Sequence, residues 1–241
     1  MLDLRTWLSV PGELDSRLDF APWQLSGTVV GPLLNDPASV AALGEAVHAA
    51  PYKAPPRAPV LFVKPRNTLA GNGAVVAVPS EPGELEIGAT VGLVIGSSAC
   101  KVSASAAMDF VAGCTLVVDL SVPHASYYRP SVRFKARDGS CLLGSRVVPR
   151  AEVGEVDAAV LRVFVDGECM REVSMAGMQR PAAKLIEDVS EFMTLHAGDV
   201  LLLGARHGMP RVHAGQRFAV ECAGIGRLEG RLVAEEQGGE A

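Results

Sequence analysis

The sequence predicts a mixed α/β, strand-rich fold with mostly antiparallel pairing, and three observations predict it. Val and Ala carry much of an apolar content of 49% and 25 glycines stand beside them, while aromatic residues reach only 5%; this favours sheet with tight turns over a helical bundle. Short apolar runs closed by glycine recur, most plainly Gly88-Ala89-Thr90-Val91-Gly92-Leu93-Val94-Ile95-Gly96. A few helical stretches interrupt the strands without the regular beat of a doubly wound parallel sheet.

A chain of 241 residues can bury one full core and carry a short extra lobe. Residues 1–26 read as an N-terminal extension, with Trp7 and Trp23 as anchors and a turn at Pro11-Gly12. Residues 27–233 form the domain, and the acidic, glycine-rich residues 234–241 read as a disordered tail. Within the domain, a first strand covers Thr28 to Gly31. Asp36-Pro37 then caps and starts a helix reaching Ala50, with Val40, Leu43 and Val47 at helical spacing and His48 on the surface near its end. The proline-rich stretch from Pro51 to Pro59 must be extended. Leu61-Phe62-Val63 begins the next strand, Gly71-Asn72-Gly73 is a turn, and Ala74 to Pro79 is a further strand, followed by an acidic connection through Glu86.

The apolar run up to Gly96 reads as a buried strand, on which Gly88 and Thr90 share a face because they lie two apart. Lys101-Val102 closes a strand, Ser103 caps a short helix to Phe110, and Val111 to Leu120 is a strand ending at the carboxylate of Asp119. From Val122 to Arg137 the chain is loop-like and concentrates Tyr127, Tyr128, Arg129, Arg133, Lys135 and Arg137. This patch is either a solvated loop or a place of anion capture, to which the planar guanidinium is suited. Asp157 to Val165 is a strand, and Asp166-Gly167 signals a type I′ hairpin turn. Arg180 to Leu195 reads as a helix with Ala182, Leu185, Ile186, Val189 and Phe192 on its apolar face. Ala197-Gly198-Asp199 turns into the strand Val200 to Leu203, Asp199 serving as a turn aspartate. His207 and His213 flank a turn as surface residues, and Arg217 to Ala223 alternates as an outer strand does.

Composition also excludes. A net charge of −5 with no block of Lys or Arg speaks against a nucleic-acid surface. No apolar run is long enough to cross a bilayer, and the acidic N-terminus does not look like a secretory signal, so a cytoplasmic location is expected. The five cysteines have no metal-site or redox spacing, and they read as buried small apolar residues in a reducing compartment.

Several pieces then join into a resemblance. Lys64-Pro65, Val94-Ile95-Gly96, Val111-Ala112-Gly113, Asp119-Leu120-Ser121, Lys135 to Gly144 and Leu195-His196-Ala197-Gly198-Asp199-Val200 stand in the order and spacing of the fumarylacetoacetate hydrolase family. Pro51-Tyr52-Lys53-Ala54-Pro55-Pro56, Lys64 to Thr68, Tyr127-Tyr128-Arg129-Pro130 and Gln179-Arg180 resemble the N-terminal half found in its isomerase/decarboxylase branch of 4-hydroxyphenylacetate catabolism. The resemblance implies a β-roll of mixed sheets, usually dimeric. It also implies chemistry in which Mg²⁺ or Mn²⁺ holds the 2-keto-carboxylate end of a substrate and stabilises an enolate. Two glutamates on one strand, an aspartate near Asp119 and a lysine matching Lys135 supply the family's site.

This chain departs from that pattern. The two glutamate positions fall on Gly88 and Thr90, leaving Asp119 alone of the carboxylate triad, too few oxygen ligands for a hard cation. Glu86 is the nearest acid, and its use is expected to demand a register shift. The hydrolase branch's histidine is missing from Leu33 to Pro37, and its Gly-Thr-Pro reads Gly204-Ala205-Arg206. No metal is therefore expected on this chain. The expected catalytic residues are Asp119 and Lys135, and the expected substrate-binding residues are Tyr128, Arg133, Gln179 and Arg180, acting on a small keto acid. Asp119 has a plainer reading as a turn acceptor, and Lys135 as a solvated loop lysine. Three functions stay open: a subunit of an isomerase/decarboxylase acting on 2-hydroxy- or 2-oxo-dienedioates, pairing with itself or with a homologous metal-bearing subunit and not catalytic by itself; a metal-independent keto–enol isomerase using Asp119 or His124 for proton transfer with Lys135 as electrophile; and a keto-acid-binding protein without turnover.

Overall fold

The computed structural model describes residues 27–127 and 132–235. The 1–26 extension, most of the proposed tail and Tyr128 lie outside the described residues. The chain is strand-rich, as its composition predicts. A nine-stranded mixed sheet contains β1 (Val29–Leu33), β2 (Val60–Lys64), β3 (Leu69–Ala70), β5 (Leu85–Ile95), β6 (Val111–Ser121), β7 (Cys141–Leu143), β8 (Val148–Pro149), β11 (Val200–Leu202) and β12 (Arg211–Val212). A five-stranded sheet holds β4 (Ala74–Val78), β9 (Val160–Val165), β10 (Glu168–Ser174), β13 (Arg217–Cys222) and β14 (Gly226–Ala234). Antiparallel pairs predominate, with parallel pairing of β1 to β11, β3 to β7 and β4 to β14.

Strands β5 and β6 form the spine, paired antiparallel along almost their whole length. Alternate β5 residues Leu85, Ile87, Ala89, Val91, Leu93 and Ile95 enter the main core together with Leu116, Val118 and Leu120 of β6. From Gly88 onward the opposite face of β5 carries small side chains. At Gly92 a Cβ would stand 2.8 Å from Val200 Cγ1 and 2.9 Å from Val117 Cγ2, so glycine lets β11 and β6 close on it. Val94, Val117, Val200 and Leu202 make a smaller cluster on that second face. Its other end is where polar residues gather.

The hairpin between β9 and β10 turns as its sequence predicts, with φ of 50° at Asp166 and 88° at Gly167, both required by a type I′ turn. Other expectations are corrected. The helix expected to reach Ala50 is only α1 (Pro37–Ala41); Gly44, at φ 50°, breaks into a 3₁₀ turn over Gly44–Val47. Lys101-Val102 closes no strand, and the adjoining Ala99 makes a single bridge to Leu195. Ser103 precedes α2 (Ala104–Ala107) without a side-chain cap; Glu187 accepts the Ala104 N–H instead at 3.0 Å. The Val122 to Arg137 loop includes a short helix, α3 (Val132–Lys135), and a further one, α4 (Arg150–Val153), follows β8.

Asp157 is in a 3₁₀ turn before β9 and caps α5 (Ala182–Ser190), accepting from Ala182 N at 2.8 Å. That helix buries Ala182, Leu185, Ile186 and Val189, but it ends before Phe192, which is 64% exposed. Strand β13 is central in its sheet, flanked by β9 and β14. Ala234, assigned to the tail, pairs with Val78 in register. Among the cysteines, Cys114, Cys141 and Cys222 are buried while Cys100 and Cys169 are exposed. No helix among the described residues is long and apolar enough to cross a membrane.

Candidate active site

A cavity of about 600 Å³ opens on the second face of the large sheet, within the range of small-molecule sites. Glu86, Gly88 and Thr90 occupy alternate positions of β5 and all line it, as do Asp119 and Ser121 of β6 and Lys135 at the end of α3. Glu86 belongs to β5 rather than to the connection before it, and it already shares a face with Gly88 and Thr90. The expected register shift is unnecessary, because residues 86, 88 and 90 have the same parity. His124, Tyr127, Arg206 and Arg211 complete much of the polar wall.

Asp119 is the electrostatic centre. Lys64 Nζ donates to its Oδ1 at 2.8 Å and Lys135 Nζ to its Oδ2 at 2.6 Å. Lys64 is fully buried, and its ammonium also donates to the Lys135 carbonyl and, at 3.1 Å, to Ser140 Oγ. Lys135 donates in addition to Ser121 Oγ at 2.9 Å, and its ammonium stands 4.4 Å from the centre of the Phe62 ring. Burial is the largest single influence on the Asp119 carboxyl and favours its neutral form. The charges of Lys135 and Lys64, with their hydrogen bonds, outweigh it and hold the pKa below the ordinary value. Asp119 is thus a clasped carboxylate rather than a turn acceptor, and Lys135 is no solvated loop lysine.

The two neighbouring positions on β5 are committed differently. Gly88 lies across from Asp119 in register, and a Cβ there would stand 2.6 Å from the Asp119 carbonyl oxygen. The Thr90 hydroxyl is buried and donates to the Gly204 carbonyl at 3.0 Å. Among the described residues, no three His, Cys, Asp or Glu side chains are grouped closely enough to hold a metal ion.

The remaining ionisable groups divide into paired and unpaired. Arg206 Nη1 donates to Asp36 Oδ1 at 2.9 Å, and Arg211 Nη1 donates to Glu84 Oε1 at 2.7 Å. Burial first, then the Lys135 charge, keeps the His124 imidazole below its ordinary pKa. Its Nδ1 lies 3.3 Å from the Val122 carbonyl, which can only accept, so Nδ1 carries the hydrogen there. Burial pushes the Glu86 carboxyl up against the lowering effects of Lys135, Arg211 and His207.

The structure brings Asp119 and Lys135 together with Gly88 and Thr90, and it sets the other expected substrate residues apart. Arg133 is exposed, with its guanidinium over Phe134 and outside the cavity lining. Gln179 is exposed outside the lining, while Arg180 ties Asp188, at 2.8 Å, and the Arg57 carbonyl to α5. Lys64, Ser121 and Glu86 were not among the expected site residues. The signal for Lys64 was its place closing an apolar strand just before Pro65; for Glu86 it was the parity shared with Gly88 and Thr90. His207 and His213 are exposed, as expected, although His207 also reaches the cavity rim. Asp199 accepts from Thr28 N and His196 N at 2.6 and 2.7 Å, as a turn aspartate should.

The family model for the fumarylacetoacetate hydrolase C-terminal domain matches residues 28–233. The chain belongs to the fumarylacetoacetate hydrolase family. It is 37% identical over 213 residues to the 4-hydroxyphenylacetate degradation bifunctional isomerase/decarboxylase of Escherichia coli, covering 88% of this chain and 48% of that protein. The chain therefore spans about half the length of that relative. A mitochondrial oxaloacetate tautomerase of Arabidopsis thaliana is 30% identical over 178 residues, which cover 72% of this chain and 80% of that one. Among solved structures, 5-carboxymethyl-2-hydroxymuconate delta-isomerase from Mycobacterium smegmatis superposes with a TM-score of 0.72, covering 88% of this chain and 81% of that one. At 23% identity that likeness speaks for the fold alone.

Proposed function

We propose that this fumarylacetoacetate hydrolase family member is a metal-independent keto–enol isomerase acting on 2-hydroxy- or 2-oxo-dienedioates, in the manner of the isomerase half of an isomerase/decarboxylase. The observation that carries the reading is the Asp119 carboxylate clasped by Lys64 and Lys135 inside the cavity. A hard divalent cation does not fit the positions the family uses. Gly88 has no room for a side chain, Thr90 directs its hydroxyl at a carbonyl, and both Asp119 oxygens already face ammonium groups. The same lysines supply what an enolate needs. Lys135, fixed by Asp119 and Ser121, presents positive charge to a developing enolate oxygen without reorganising, and Lys64 holds Asp119 from the buried side. Lys135 and Arg211, on opposite flanks of β5, also give a dianion two cationic groups lining the cavity.

The test is ketonisation of a 2-hydroxy-2,4-dienedioate by the purified chain, with chelator and with added Mg²⁺ or Mn²⁺. Turnover unchanged by either supports the reading; turnover rising with metal overturns it. A second reading has a specific observation behind it: the chain spans about half of a bifunctional relative, so it also fits a subunit pairing with itself or with a homologous metal-bearing chain. Activity that emerges only on adding such a chain favours that reading. Saturable binding of a keto acid without turnover would mark a binding protein.

A further inference from the structure

We propose that Glu86 is a catalytic residue of this cavity, the carboxylate that carries a proton between oxygen and carbon during the keto–enol shift. The inference rests on the isomerase reading and deepens it. Among the described residues, Glu84, Glu86 and Asp119 are the carboxylates lining the cavity. Arg211 holds Glu84, and two lysines hold Asp119. The Glu86 carboxylate makes no hydrogen bond or ion pair with any described residue. Arg211 even lies across from it in register on β12, yet its guanidinium reaches to Glu84 instead. A partly buried carboxylate left bare where its neighbours are all paired is costly to keep, and such groups gather at reactive sites.

Its placement suits the task. On the other side of β5 its register partner is Ser121, whose hydroxyl accepts from Lys135. Glu86 therefore stands beside the ammonium that would face the substrate oxygen. The charged groups acting on it are Lys135, Arg211 and His207, which favour the carboxylate, and Asp119, which opposes it; the Tyr127 phenol also feels its charge. Burial exceeds them all and pushes its pKa up, which makes the carboxyl group a readier proton acceptor than an ordinary surface glutamate. Asp119 is less suited, since both of its oxygens are engaged and its pKa is held down.

In the step, the Glu86 carboxylate removes the hydroxyl proton of the dienol as the C–O bond becomes C=O. The π electrons move along the chain, and the protonated Glu86 delivers its proton to the carbon at the far end of the diene. One O–H bond breaks, one C–H bond forms, and Glu86 ends as it began.

The experiment compares the wild-type chain, Glu86→Gln and Glu86→Asp in ketonisation assays run in ²H₂O. Glu86→Gln is expected to lower kcat about 100-fold or more with KM nearly unchanged, and to place deuterium on both faces of the product carbon where the wild type uses one. A Gln variant within threefold of wild-type kcat, with the same facial selectivity, overturns the assignment and leaves the isomerase reading standing. An inactive wild-type chain overturns that reading and this assignment with it. If Glu86→Gln does not fold, Glu86→Asp decides: a fall of tenfold or more supports the assignment, and a smaller fall overturns it.

Discussion

Gly88 and Asp119 face each other across β5 and β6, so closely that a methyl group at position 88 would stand 2.6 Å from the Asp119 carbonyl oxygen. The obstacle is backbone, which cannot swing aside as the tip of a side chain can. The strand pair leaves no room for a larger side chain at position 88.

Placing glutamates at positions 88 and 90, where the resemblance implies them, is therefore expected to build no metal site. Gly88→Glu with Thr90→Glu should bind Mn²⁺ no better than the wild type by titration calorimetry. The double variant should also lose stability in urea, by about 1–3 kcal/mol for the forced side chain, with a further loss from the Thr90 bond to Gly204. Tight Mn²⁺ binding by the double variant would show that the strands can reopen.

The lysine clasp gives a second expectation. Lys64→Met removes a fully buried ammonium from Asp119 and from Ser140, leaving a buried carboxylate with one partner. Breaking a buried pair in this way costs about 3–5 kcal/mol, read as a shift in urea midpoint at unchanged slope. Adding Asp119→Leu should cost less than the two single changes summed, because the stranded charge goes with it.

Asp119 and Glu86 are shifted in opposite directions, so their pH dependences have opposite signs. With its pKa lowered from 3.8, Asp119 contributes stability that is present above that value and lost as pH falls through the depressed one. For Glu86, raised from 4.5, the folded form binds the proton more tightly than the unfolded chain does. Its contribution is fully present below pH 4.5 and disappears as pH rises through the elevated value. Glu86→Gln should accordingly gain stability over the wild type as pH rises above 4.5, even as it loses activity. Urea curves between pH 4 and 8 check this; equal stabilities throughout would contradict the unpaired carboxylate.

Much of this architecture was legible in the sequence because its signals are local. Asp166-Gly167 dictates its hairpin, and the apolar run ending at Gly96 dictates a buried strand. Resemblance points to Asp119 and Lys135, and the fold brings these two side chains to within 2.6 Å of each other. Lys64 could not be assigned a role from local pattern, since its partner is 55 residues away and meets it only once β2 and β6 share a sheet. The helix after Asp36 was overextended because Val40, Leu43 and Val47 keep helical spacing while Gly44 takes a positive φ that ends it. Arg180 looked like an anion ligand, but its guanidinium is used by Asp188 and the Arg57 carbonyl, contacts that only the folded chain creates.

Asp36 links the start of α1 to the far wall of the cavity. Its Oδ1 accepts from Ala38 N at 3.2 Å and from Arg206 Nη1 at 2.9 Å, while its Oδ2 accepts from His207 N at 2.7 Å. Arg206 in turn donates to the carbonyls of Ser174 and Ala176, so the Asp36–Arg206 pair fastens the 204–208 loop to two other segments. Asp36→Ala removes a helix cap worth about 1 kcal/mol and leaves a mostly buried guanidinium without its counter-charge, a further loss of about 1.5–3 kcal/mol. Because Arg206 and His207 line the cavity, the loosened loop should weaken substrate capture more than the proton transfer itself. The expected outcome is a KM raised several-fold with kcat changed less, alongside a lowered Tm. A variant with unchanged KM would show that the cavity wall holds its shape without this anchor.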